Sequence, residues 1–152
     1  MGSSYIKRPK RAFKHGFSCT RQYTEILRLF PDAQVLRKKG NEFELVIKLR
    51  PNVLSKEYDV KLSYDRRTEA VRVYVINEKL TVAKNRDRLP HVYSHKEQQL
   101  CLYSPSQKEW TNQKLIAGSI IPWASEWLFF YELWLPGGEW FGGGHDEYEK
   151  LD

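Results

Sequence analysis

The stretch NEFELVIKLRPNVLSKEYDVKLSYDRRTEAVRVYVI, residues 41–76, decides the fold. Phe43, Leu45, Ile47 and Leu49 alternate with Glu44, Val46, Lys48 and Arg50, the period-two pattern of a half-buried strand. Pro51-Asn52 breaks that strand. Tyr58, Val60, Leu62 and Tyr64 then alternate with Asp59, Lys61, Ser63 and Asp65. A polar turn, Arg66-Arg67-Thr68, leads into a further strand through Val71, Val73 and Val75. Upstream, residues 33–37 form a short strand, joined to the first by the hairpin chemistry of Lys39-Gly40-Asn41. The pattern predicts a four-stranded antiparallel meander with short connections, with neither βαβ alternation nor an internal repeat.

Working outward, Thr20 reads as a helix N-cap. Tyr23, Ile26, Leu27 and Phe30 recur at helical spacing until Pro31 stops the run. Downstream, Thr111 reads as the N-cap of a second helix. Its apolar face carries Leu115, Ile116, Ile120, Ala124, Trp127, Leu128 and Tyr131, and Pro122 inside the run predicts a kink or a break. This bulky face is expected to pack across the meander and fill most of the core, with Trp110 and Trp123 inside it. The fold class is therefore α+β. Residues 1–18 form a basic flexible arm, and residues 19–152 a single domain whose glycine-rich acidic tail begins at about 136.

A chain of 152 residues, 41% hydrophobic and 14% aromatic, is long enough to bury a core and too apolar for a disordered segment. No apolar run reaches the length that spans a bilayer, and the N-terminus lacks the apolar core of a secretion signal. Met-Gly at the start does not read as a myristoylation signal, because Ile6 stands where Ser or Thr is wanted. Two cysteines, Cys19 and Cys101, make no disulfide framework, and a reducing cytoplasm is the expected compartment. Charge is uneven. Residues 1–40 hold ten Lys/Arg against two Asp/Glu, whereas residues 123–152 hold seven Asp/Glu against Lys150 alone. A basic head of this kind fits an acidic partner or nucleic acid, and in the nucleic-acid reading Lys10, Arg11, Arg21 and Arg28 carry the contact.

Chemistry concentrates in residues 89–103. Cys101 sits between Leu100 and Leu102, a short extended segment whose leucines face inward and turn the thiol the other way. A cysteine nucleophile needs a thiolate, access, and donors for a developing oxyanion. His91, Tyr93, His95, Gln98 and Gln99 lie within ten positions upstream and offer donors or a base. By itself this cluster fits a small core cysteine better than a nucleophile. Cys19, at the entry of the first helix, reads as a packed, inert thiol. His91, His95 and Cys101 have the form H-x3-H-x5-C, which with His145 would make four ligands. That spacing matches no common zinc finger, so neither a metal nor any other cofactor is expected. Gly142, Gly143, Gly144 and His145 lack the Lys and Ser/Thr of a phosphate loop. They read instead as a partner-binding flap whose backbone approaches another chain, with Trp140 and Phe141 as apolar anchors.

The order of helix, four-stranded meander, histidine loop, Leu100-Cys101-Leu102, Trp110 and crossing helix resembles that of ubiquitin-conjugating enzymes (the UBC fold) over roughly residues 20–135. His91 takes the place of the histidine in that family's His-Pro-Asn motif, while Val92 and Tyr93 replace the proline and asparagine. The tail around residues 140–145 is similar to the bacterial branch found in CBASS anti-phage operons. The resemblance implies that Cys101 takes an acyl group as a thioester from the C-terminus of a CD-NTase (the operon's cyclic-oligonucleotide synthase) or a ubiquitin-like protein. The group then passes to an amine such as an acceptor protein's lysine. His91, Tyr93 and His95 would order the loop or support the oxyanion in the missing asparagine's place. The chain has no room for an activating domain, so the resemblance points to the stand-alone kind. The missing asparagine leaves open a catalytically inactive binding protein of the same fold, beside the nucleic-acid module.

Overall fold

The computed structural model describes residues 16–143. Helix α1 (Cys19–Leu29) leads into strands β1 (Gln34–Lys39), β2 (Glu42–Leu49), β3 (Tyr58–Asp65) and β4 (Ala70–Ile76). Two short strands follow, β5 (Val92–Ser94) and β6 (Gln99–Leu100). A 3-10 turn (Ile116–Gly118) then precedes helix α2 (Ile120–Trp134). The class is α+β, with two α-helices among the described residues. The sheet is six-stranded and antiparallel in the order β1-β2-β3-β4-β6-β5, because the cysteine loop adds its own two strands beyond the expected four. The sequence hides them: β6 has two residues and pairs with β4 only through Tyr74 and Gln99.

Alternation becomes burial strand by strand. On β3 the odd apolar set Tyr58, Val60, Leu62 and Tyr64 is buried and its neighbours are half-buried. Register stacks Phe43 opposite Tyr64 and Tyr64 opposite Val71, so one aromatic-aliphatic layer crosses three strands. Rings continue it: Tyr23 meets Phe43 at 5.6 Å between centroids, Phe43 meets Tyr64 at 5.5 Å, and Tyr64 meets Trp110 at 6.0 Å. The opposite face carries charge, with Lys48 paired to its cross-strand neighbour Asp59 at 3.1 Å. No helix among the described residues is long and apolar enough to cross a membrane.

Both helix starts differ from expectation. Ser18, not Thr20, caps α1: its backbone is extended and its Oγ accepts from the Arg21 amide at 3.1 Å. Thr111 caps no helix, its Oγ1 closing a local turn to the Gln113 amide. Helix α2 begins at Ile120, which puts Pro122 in the first turn, where its missing N–H leaves no intrahelical bond unmade and breaks nothing. The arm's inner end is also tied down. The Phe17 amide donates to Asn112 O at 2.7 Å, and Phe17 O accepts from Arg66 Nε at 3.1 Å. Lys10, Arg11, Gly144 and His145 lie outside the described residues.

Candidate functional site

The site grows out of one backbone hinge. His91 adopts φ +44°, a left-handed conformation that sharply turns the chain from Pro90 into β5. Its carbonyl oxygen then accepts twice, from the Cys101 amide at 3.1 Å and from Trp127 Nε1 at 3.0 Å. One carbonyl therefore ties the histidine loop, the cysteine segment and helix α2 together. His95 acts on the same loop from further off, its Nδ1 accepting from the Leu89 amide at 3.0 Å. Its side chain lines a different cavity, with Leu80 and Glu97, so His91, His95 and Cys101 do not converge. Among the described residues no group of three or more His, Cys, Asp or Glu could hold a metal.

Cys101 lies at the floor of a cleft of about 260 Å³. Leu100 is buried as expected. Leu102 is only partly buried and shares the cleft with Cys101, a residue 9% exposed. Burial pushes the thiol's pKa above its ordinary value. A hydrogen bond with the Tyr93 hydroxyl opposes that shift by favouring the thiolate, and the Glu109 carboxylate adds to it. The Tyr93 hydroxyl also lies 2.5 Å from Tyr103 O, to which it donates while the thiol is neutral, so its one proton must turn to the sulfur to stabilise the thiolate. Tyr93 is therefore the upstream residue that meets the sulfur. Gln98 turns away and clamps the segment after β4, donating to Val75 O and Glu78 O at 2.9 Å and accepting from the Leu80 amide at 2.8 Å.

One wall of the cleft is a helix stripe, Trp123, Glu126, Trp127 and Phe130. The spacing of three, one and three residues is a single face of α2. Trp123 thus belongs to the cleft rim rather than to the deep core, while Trp110 is fully core, its Nε1 donating to Ser119 Oγ at 2.9 Å. The facing wall is the tail: Trp140, Gly142 and Gly143 line the cleft. Trp140 packs on this chain's own His91 ring at 5.0 Å, on Trp127 at 5.9 Å and on Phe130 at 6.0 Å between centroids. Phe141 stands outward, 62% exposed. Cys19 is buried in the core, its pKa likewise raised by burial. Arg21 and Arg28 both pair with Glu25 at 3.1 Å on the outer face of α1.

No curated protein matches the sequence. A family model does, over residues 22–147, and its description is Type II CBASS E2 protein. That span runs from the first helix through the histidine hinge, Cys101, the α2 stripe and the tail wall, every part from which the cleft is built. The chain belongs to the Type II CBASS E2 protein family.

Proposed function

We propose that this protein is a cysteine-dependent acyl transferase of the ubiquitin-conjugating type, working within anti-phage defence. One observation carries the reading: the Cys101 residue lines a cleft with two carboxylates, Glu109 and Glu126, while the Tyr93 hydroxyl beside that cleft favours the thiolate. The donor is the C-terminus of a CD-NTase or a ubiquitin-like protein, and its carboxyl must arrive activated, because a thiolate does not displace hydroxide from a carboxylate. In the first half-reaction Cys101 Sγ gives up its proton and attacks the activated carbonyl carbon. The C–S bond forms and the activating group departs. In the second, an acceptor lysine amine attacks the thioester, the C–N bond forms, and the thiolate leaves.

Each surrounding group has a part in this scheme. Tyr93 stabilises the thiolate and then stands beside the carbonyl oxygen as negative charge develops there, in place of the asparagine of ubiquitin-conjugating enzymes. His91 and His95 order the loop, one through its backbone carbonyl and the other through Nδ1. Glu109 and Glu126 receive the acceptor's ammonium group and the proton it must shed. Trp140, Phe141 and Gly142 to His145 are the segment that the donor chain encounters on entering the cleft. A reducing cytoplasm suits the two free thiols.

The test is co-production with the candidate synthase, followed by non-reducing gel analysis of wild type, Cys101→Ala and Cys101→Ser. The expected result is an adduct that thiol reductant releases, absent in the alanine variant and reductant-resistant in the serine variant. The burial of Cys101 favours a second reading, an inactive binding protein of this fold. A stable complex without any adduct would support it.

A further inference from the structure

The tail that walls the Cys101 cleft is built as a strap rather than as part of the sheet or helices. It leaves α2 in a tight turn, the Gly138 amide donating to Trp134 O at 2.6 Å. Gly138 has φ +69°, and a Cβ there would meet Asn85 Oδ1 at 1.9 Å, so the turn requires glycine. Asn85 Nδ2 and Arg86 Nε each hold one strap carbonyl, Gly137 O and Gly138 O, at 2.9 Å. Beyond them the anchor is the Trp140 ring, whose Nε1 donates to Gly143 O at 3.0 Å, a bond internal to the strap. Gly142 lies so close to Phe130 that a methyl group there would sit 2.9 Å from a ring carbon.

Trp140 also divides space. On one side is the Cys101 cleft. On the other is a second cavity of about 260 Å³ lined by Arg86, Leu89 and Pro90. An acyl donor entering as an extended polypeptide end needs both a track along the protein and contact with the sulfur of Cys101, a buried residue. With Trp140 in place the two cavities stay separate, and Gly142 and Gly143 line the cleft that Cys101 also lines.

We propose that the strap is an autoinhibitory cover. Residues 140–143 occupy the donor track of the acyl-transfer site proposed above, and an incoming C-terminus displaces Trp140, joining the two cavities into one channel. This inference rests on the acyl-transfer reading for the donor's identity, but the cover itself is read without it.

The experiment compares iodoacetamide alkylation of Cys101 in wild type, Trp140→Ala and Trp140→Phe, followed by peptide mass spectrometry, with Cys19 in the same molecule as the control. Removing the anchor should raise the Cys101 rate by about tenfold or more, as expected when a local opening becomes the ground state. Trp140→Phe should fall between, and Cys19 should stay at its wild-type rate. An unchanged Cys101 rate would overturn the proposal, because the strap would then be a fixed wall. Parallel acceleration of both thiols would also overturn it, because the variant would then have loosened the whole fold. Donor loading, measured on the same variants, keeps the two readings apart. Faster alkylation of the variants with no acyl adduct on wild type sustains the cover and sinks acyl transfer, while adduct formation with unchanged alkylation does the reverse.

Discussion

At the scale of single residues, the Cys101 thiol is held in check by its surroundings. Burial and Glu109 push its pKa up while the Tyr93 hydroxyl pulls it down, with burial the largest of the three. The sign of each variant follows. Tyr93→Phe removes a donor to the thiolate, so the midpoint of the pH–alkylation profile should move to higher pH and the neutral-pH rate should fall. Glu109→Gln removes a like charge, so the same midpoint should move down and alkylation should quicken. If Glu109 and Glu126 also receive the amine, the double glutamine variant should slow transfer to lysine by about a hundredfold while thioester formation persists, a size usual for a lost general base. Single-turnover assays with a preloaded thioester separate the two effects, and equal slowing of both steps would remove these carboxylates from the mechanism. That Cys101 and Tyr93 lie near one another was legible because they are eight positions apart, Tyr93 on β5 and Cys101 just past β6. Glu109 and Glu126 were not, since one sits in a loop and the other on a helix face that only the folded chain brings to the sulfur.

At the scale of elements, two buried polar side chains connect what the hydrophobic pattern leaves separate. Gln22 is fully buried in α1, its Nε2 donating to Lys114 O at 2.9 Å and its Oε1 accepting from the Ile116 amide at 2.8 Å. Gln22→Leu would keep the volume but strand a buried N–H and a C=O, at a cost of about 1–3 kcal/mol, measured as a lower midpoint in urea or heat. Glu132 ties α2 to the sheet by accepting from Ser55 Oγ at 2.5 Å and Tyr58 Oη at 2.7 Å. Glu132→Ala should lose about 2 kcal/mol by the same measurement, hydrogen bonds to a charged acceptor being the stronger sort. The strands of the meander were readable because alternation is local. The helix caps were not: a single hydrogen bond selects Ser18 over Thr20, and Ser119 precedes α2 with its hydroxyl engaged by Trp110 and Leu115 O. Strands β5 and β6 were hidden because pairs so short take their conformation from β4 and the His91 hinge rather than from their own composition.

At the scale of the whole molecule, a sheet, a hinge and a helix stripe surround one cleft, and the chain's own tail closes it. The order of elements was legible from residues 20–135, and with it the neighbourhood of Cys101. The tail's place was not, because nothing in Trp140-Phe141-Gly142-Gly143 says whether it meets another chain or folds back onto His91. Arg21 and Arg28, the two described residues expected to meet phosphate, share Glu25 on the outer face of α1. The most direct test of acyl transfer locates the group on the chain. Wild-type protein isolated with its donor under acidic, non-reducing conditions is digested with trypsin, and the peptide spanning residues 97–108, which contains Cys101, is weighed. Acyl transfer predicts that this peptide carries the donor's C-terminal fragment, with a mass gain equal to that fragment less one water, lost on hydroxylamine treatment, while the Cys19 peptide is unmodified. The same gain on a lysine peptide alone, or on Cys19, with residues 97–108 unmodified at every time point, would contradict it.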